Sequence, residues 1–346
     1  MAVTEFGTND AQNVLRWSTK LMREAIGKTF CKRFMGDSDS AVIQLHHDLE
    51  QGAGDTVKYD LLMQMGGAGV TGDTRLKGFE EALTYHQDDL TIDQLRNAHM
   101  FRTMTGQRTV HKLRSDAKQN LADWFAVKFD RYMLSYLAGT AGTDPGNVAS
   151  ELPYAGNALD APDADHVYTP SAIISLQHID RLVEKAKTID PLIRPCNVDG
   201  ERKYVLLLHP YSVTQLRIAT GATDWLQLTS RAGSRGSSNP IYTGAIGEYG
   251  GVIIHESEYI PRTSAPLTHN LFLGAQAGSM AFGNSYRKLG RKPMGKGSYF
   301  SWFEEMDDYG NETGIAAGSI FGIKKNRFNS KDFGVIRFTT TDAAHT

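Results

Sequence analysis

The sequence predicts an α+β chain in two lobes, and three observations carry the prediction. The run from Arg108 to Leu137 contains no Gly or Pro. Its apolar residues Val110, Leu113, Ala117, Leu121, Trp124, Phe125, Phe129, Tyr132, Met133 and Tyr136 recur mostly at steps of three and four, the period of one face of an α-helix. Stretches of strand character lie on both sides of that run. A segment at 138–170, rich in Gly, Ala, Asp and Pro, is longer than loops inside a compact domain usually are and sets a lobe boundary. The 346 residues exceed the size at which one core usually suffices.

The chain opens with an amphipathic helix expected over Asn9 to Ile26, capped by Asn9 or Asp10. Val14, Trp17, Leu21 and Ala25 form its stripe. The GKTFCKRFMGDSDS that follows breaks the pattern, so the segment reads as an arm that lies on its own chain or on a neighbour. AVIQLHHDL reads as a strand. TVKYDLLMQM alternates, with Val57, Tyr59, Leu61, Met63 and Met65 on one face. GGAGVTGDTRLKG turns the chain and EEALTYHQDDL runs back. The pair makes a large hairpin that is marginal on its own, and its apolar stripe is expected to bury against an adjacent subunit. The helix at 108–137 would be about 45 Å long at 1.5 Å per residue, well beyond the mean of about a dozen residues, and Gly139 and Gly142 stop it.

The second lobe opens with SAIISLQHIDRLVEKAKT, a helix capped by Ser171 or Thr169. KYVLLLHPYSVTQLR reads as a buried strand followed by a helix that Pro210 opens. TDWLQLTSRA is a short helix, SRAGSRGSSNPIYTGAIGEYGG a surface loop, GVIIHESEY a strand, and NLFLGAQAGSMAFG a strand ending in a small-residue bend. SYRKLGRKPMGKGSYF is a basic crossing back. YFSWFEEMDDYGNETGIAAGSIFGIKKNRF and DFGVIRFTTT are strands expected to rejoin the first lobe near the long helix.

Bulk properties exclude several classes. The chain is 40% hydrophobic and 22% charged with a formal net charge of −2, so no basic excess marks a dedicated nucleic-acid binder. No apolar run approaches the roughly twenty residues that span a bilayer, and MAVTEFGTNDAQ lacks the pattern of a signal peptide. Cys31 and Cys196, the two cysteines, exclude a disulfide scaffold and fit synthesis in a reducing cytoplasm.

The motifs that could carry chemistry are weak. Gly67 to Gly72 spells G-x-G-x-x-G, but a dinucleotide site needs a buried parallel strand before it and an apolar helix after it. The strand here is amphipathic and DTRLKGFEEA has no helical stripe. GRKPMGKGS at 290–298 approaches a phosphate loop, yet Gly297 stands where a magnesium-binding hydroxyl is required. The Arg287, Lys288, Arg291, Lys292 and Lys296 cluster suits nucleic-acid phosphates, a neighbour's carboxylates, or solvent. His46 and His47 point to opposite faces of a strand and cannot share a metal. The acidic run Glu304, Glu305, Asp307, Asp308 lacks calcium-loop spacing. No catalytic, cofactor or metal residue is therefore assigned. A long rod with an arm and large loops favours a self-associating structural protein, against the alternative of a nucleotide- or dinucleotide-dependent enzyme using the loops at 66–72 or 290–298.

An ordered set of segments resembles a known family. MAVTEFG, GAGVTGD, GFEEALT, LTIDQLRNA, LADW in the long helix, NPIYTGAIGEYGGVIIHE, LFLGAQAGSMAFG, DYGNETGIAAGSIFGIKKNRFN and DFGVI together resemble the N-four-like major capsid proteins of tailed bacteriophages. The resemblance implies the Hong Kong 97 capsid fold: an N-terminal arm at 1–38, an extended loop with flanking strands at 39–105, a peripheral domain at 106–164 and 291–346 with a spine helix at 108–137, and an axial domain at 165–290. It implies pentamers and hexamers in an icosahedral head of a virion made in the bacterial cytoplasm, enclosing double-stranded DNA without sequence preference and touching no membrane. It also implies separate scaffolding, portal and decoration proteins. The residues expected between subunits are Trp17, Tyr59, Leu61, Met63, Arg287, Arg291 and Lys292.

Overall fold

The computed structural model describes residues 21, 24–25, 28–50, 54–62, 69–142, 151–170, 173–198, 200–220, 245–263, 267–283 and 300–341. A short 3-10 turn, Phe30–Phe34, leads into β1 (Met35–Gly36) and β2 (Ile43–His46). A hairpin follows, β3 (Thr56–Leu62) with β4 (Tyr85–Thr91), then the long β5 (Asp93–Arg102) and a one-turn helix α1 (Thr103–Arg108). The spine helix α2 (Leu113–Ala138) comes next, then β6 (Val167–Tyr168), α3 (Leu176–Thr188), β7 (Cys196–Val198), β8 (Glu201–Leu208) and α4 (Pro210–Thr220). β9 (Gly247–Tyr249), β10 (Val252–Glu256), β11 (Leu267–Leu273) and β12 (Gly278–Phe282) precede β13 (Phe300–Asp307) and β14 (Glu312–Lys325). β15 (Arg327–Phe328), β16 (Lys331–Asp332) and β17 (Val335–Thr341) close the described chain.

Two mixed sheets organise these elements. In the first, β1, β2, β12, β14 and β13 lie side by side and β5 also pairs with β14. In the second the order is β6, β17, β11, β8, β10, β9, with β7 on β8. The spine helix packs Phe125, Phe129, Met133 and Leu137 into a core whose other walls are Phe282, Phe300, Trp302 and Phe321 of the first sheet and Val205, Leu207 and Leu273 of the second. Phe129 meets Phe300 and Phe321 edge-on, at 6.0 and 4.7 Å between ring centroids, a favoured aromatic geometry. The other face of the second sheet, with Tyr204, Leu206, Leu208, Phe272 and Phe338, buries against Ile179, Leu182, Val213 and Leu216 from α3 and α4. β8 is buried on both faces, and this is why YVLLL reads as an unbroken apolar run rather than an alternation.

The spine begins later than the periodicity suggests. Thr109 is extended and Val110 is fully exposed, so the two β-branched residues end α1 and the rod starts where Leu113 packs. At its other end Gly139 takes a left-handed φ of 65°, and the Thr140 N–H reaches back to the Ser135 carbonyl, the six-to-one bond of a helix stop. A Cβ at 139 would run into the Asp160 carbonyl.

Three further sequence expectations change. α3 is capped by Ser175 rather than Ser171 or Thr169, because Ser175 and His178 bond reciprocally and close the helix end between them. NLFLGAQAGSMAFG is two strands in two sheets: β11 ends at Leu273, and 274–277 carry the chain across to β12. β17 does not rejoin the first sheet. It lies between β6 and β11 in the second, running antiparallel from Leu267↔Thr341 to Leu273↔Val335, because its apolar residues Val335, Ile336 and Phe338 are needed on both faces there. The helix expected over Asn9 to Ile26 and that over TDWLQLTSRA lie wholly or mostly outside the described residues. None of the described helices is long and apolar enough to cross a membrane.

Candidate functional site

The surfaces are the candidates, and the hairpin is the first. β3 and β4 pair from Thr56↔Thr91 to Leu62↔Tyr85. Its root is strapped to its own chain. Val57 and Leu90 pack on Leu49 and Ala281. Tyr59 stacks on His46 with ring centroids 5.2 Å apart, and its hydroxyl lies 3.1 Å from Asp88 Oδ2 and 3.0 Å from Asn326 Oδ1. Burial, and then the Asp88 carboxylate, push the Tyr59 phenol well above its ordinary pKa. Asp88 also accepts from Lys324 Nζ at 2.5 Å and from the Arg327 N–H at 3.2 Å. Asp88 is the pin that sequence reasoning missed, since an Asp in QDDL carries no signal of partners at Tyr59, 29 positions away, and at Lys324 and Arg327, 236 and 239 positions away.

Tyr59 is therefore occupied inside its own chain: alternation reports that one face is buried but not by what. Leu61 is half-buried, and Met63 lies outside the described residues. The apolar groups that do reach solvent on the hairpin are others: Leu62, Leu76, Phe79, Leu83 and Tyr85, each at least half exposed. They sit on the two strand ends and the irregular tip, 69–84. An exposed apolar cluster of this kind marks an interaction surface.

The second surface is the outer side of the spine helix, where the arm lies. Leu21 and Ala25 are fully buried in the main core. Glu24 pairs with Lys118, and Lys28 with Asp123 at 2.6 Å. Asp130, 2% exposed, accepts the backbone N–H of Phe30 at 2.7 Å and of Cys31 at 2.8 Å. Burial raises its carboxyl to about 6, against the lowering effect of those two bonds. The arm's end is thus fixed to its own spine. Trp17 lies outside the described residues.

The third surface is the far end of the first sheet. Thr103 of α1 donates its N–H to the Asn311 carbonyl at 2.8 Å, tying α1 to the turn between β13 and β14. A cavity of about 390 Å³ opens between α1, the start of the spine and the sheet, lined by Phe101, Leu113 and Ile315 with His111, Lys112 and Arg114. Arg114 grips the buried Glu304 through Nε at 2.9 Å and a terminal nitrogen at 2.7 Å.

The two glycine loops do not become nucleotide sites. β3 before Gly67 is antiparallel to β4, not a buried parallel strand, and 69–84 hold no helix whose N-terminus would face a phosphate. Gly69 and Gly72 take left-handed φ angles in open space. The loop at 290–298, and with it Arg287, Arg291 and Lys292, lies outside the described residues. Among the described residues no group of three or more His, Cys, Asp or Glu side chains is arranged to hold a metal ion.

Comparison with known proteins points the same way as these surfaces. A family model described as phage capsid protein matches residues 5–344. The major capsid protein of Pseudomonas phage KPP25 is 28% identical, over 95% of this chain and 94% of its own. Among solved structures, the capsid of Ralstonia phage GP4 superposes with a TM-score of 0.82 and 31% identity, covering 100% of this chain and 96% of that one. The capsid of cyanophage Pam1 superposes at 0.69 with 20% identity, over 99% and 97%. The enzyme alternative finds no support among these relatives.

Proposed function

Because this chain belongs to the phage capsid protein family and has the Hong Kong 97-like fold, we propose that its hairpin tip is the main contact by which copies join into the pentamers and hexamers of an icosahedral shell. The chain is the major capsid protein of a phage head, and copies of it make the shell wall. The observation that carries the proposal is the division of labour along the hairpin. Its root is held by Tyr59, Asp88 and Lys324, while Leu76, Phe79 and Leu83 at the tip stand exposed among the described residues. A protruding knob that meets a different patch on the next copy is a heterologous contact, and repeated around an axis it closes a ring. Permanent assemblies bury about 2,000 Å² or more at each interface, so the tip works alongside other surfaces.

Double-stranded DNA inside the shell fits the near-neutral formal charge of −2, because a wall with many free cations would grip phosphates in a salt-dependent way. Separate scaffolding, portal and decoration proteins are further expected partners.

The test is Phe79→Asp, made alone and with Leu76→Asp. Both side chains are exposed, so the unassembled protein should keep its melting temperature within about 1 °C. Sedimentable shells should disappear. Normal shells from the double variant would show that the tip is not an assembly contact.

A further inference from the structure

Tyr309 is held in a rare backbone conformation by the turn around it, where the Asp308 N–H donates to Asp307 Oδ1 and the Asn311 N–H to the Asp308 carbonyl. It is fully exposed at the apex of the turn joining β13 to β14. Asp308, Tyr309 and Gly310 all take positive φ, at 49°, 54° and 89°, a region that side chains other than glycine's occupy at a cost and that clusters where a residue is presented for binding. Large exposed aromatics held on rigid turns are the side chains that anchor interfaces. Around it the surface is acidic: Glu305, Asp307 and Asp308 are all exposed.

At the same end of the molecule lies a recess of matching character. The cavity between α1 and the sheet is floored by Phe101, Leu113 and Ile315. Its lining also carries His111, Lys112 and Arg114 and the Glu304 that Arg114 grips, and in sequence beside it stand the exposed Met104, Arg108 and Val110. The Glu312↔Arg102 pairing of β14 with β5 and the Thr103 to Asn311 bond fix the knob and the recess to one rigid end.

We propose that Tyr309 of one copy seats in the α1 cavity of a second copy, with its acidic flank against the Arg108 and Lys112 side. This rests on the shell-forming reading and adds to the hairpin a second contact at a different place. The occupant is a second copy because a shell brings identical ends together around its axes, and each end carries both an acid-flanked aromatic knob and a cation-flanked apolar recess. A knob and a recess that are not the same patch make a heterologous contact, which closes into a ring where the rotation between copies closes.

The decisive experiment is a side-chain-resolution map of wild-type shells, read beside assembly of Tyr309→Ser and Tyr309→Phe. The expected map has the Tyr309 ring within about 4.5 Å, ordinary apolar contact, of Phe101 and Leu113 from a neighbour. Tyr309→Ser should give about tenfold fewer sedimentable shells, the scale of loss from truncating an interface anchor, with no change in the melting of the unassembled chain. Tyr309→Phe should assemble, and Lys112→Glu should weaken assembly as Ser does. A map in which the cavity is empty, or is filled by a neighbour's 69–84 tip or another protein, overturns the proposal, as does a Tyr309→Ser chain that assembles like wild type. Wild-type shells beside a Tyr309→Ser chain that assembles equally well sink the seating alone, whereas a wild-type chain that forms no shells even with its scaffolding protein present sinks the shell-forming reading as well.

Discussion

Asp130 accepts two amides of the arm's last turn, Phe30 and Cys31, and still has a carboxyl raised to about 6 from an ordinary 3.8. Desolvation outweighs the hydrogen bonds and the nearby Arg33 charge, because burial disfavours the ionised form. A raised acid binds its proton more tightly folded than unfolded. Its contribution is therefore fully present below about pH 4 and is lost as the pH rises through about 6. Two units correspond to on the order of 2–3 kcal/mol at 1.36 kcal/mol per unit. Other groups titrate in the same range: burial lowers His269 to about 4. The informative quantity is therefore the difference between variants. Relative to Asp130→Asn, the wild-type chain should lose stability between pH 4.5 and 7.5, as measured by denaturant midpoints. An identical pH profile for the two proteins would remove Asp130 from the account. The sequence placed Asp130 on a helix among aromatics but gave no sign of its partners, which come from a hundred positions earlier.

At the level of elements, the long helix was legible because a one-dimensional period encodes it. Its ends were legible unequally. The stop was correct because Gly139 is a local device, a left-handed residue at the helix end. The start was four or five residues early, because Val110 fits the period but has nothing to pack against. Gly139→Ala meets both a positive φ and the Asp160 carbonyl. It should cost more than the roughly 1 kcal/mol of a left-handed alanine alone, seen as a drop of several degrees in melting temperature. A neutral Gly139→Ala would mean that 158–162 shifts aside freely. The hairpin strands were legible from alternation, yet the inward side of β3 turned out to face its own chain. Alternation tells which face is buried and not which chain buries it.

For the whole molecule, the sequence separated two lobes at 138–170, whereas the core runs unbroken from the first sheet through the spine to the second. The chain also crosses between sheets more often than composition reveals, at 274–277 and again before β17. The exposed tip offers a direct readout of assembly. Arg75 and Lys77 are exposed in an irregular segment of the free subunit, the setting in which proteases cut. Trypsin should nick the unassembled protein there within minutes and leave assembled shells at least tenfold more resistant, since covering the tip removes the open conformation that cleavage needs. Equal cleavage of both forms would show that the tip stays bare in the shell.

The sequence by itself determined the elements whose signals are local: a long rod, though not its start, its glycine stop, the hairpin, the doubly buried β8, and the ordered segments that resemble phage capsid proteins. It also left the chain without a persuasive catalytic motif. Only the tertiary structure decided which sheet takes β12 and β17, that Tyr59 and Asp88 hold the hairpin root, that Asp130 holds the arm, and that Tyr309 stands beside a recess at the same end. These depend on contacts between residues from 29 to 267 positions apart. The chain's periodicity reports only that a residue is buried, and folding selects the partner.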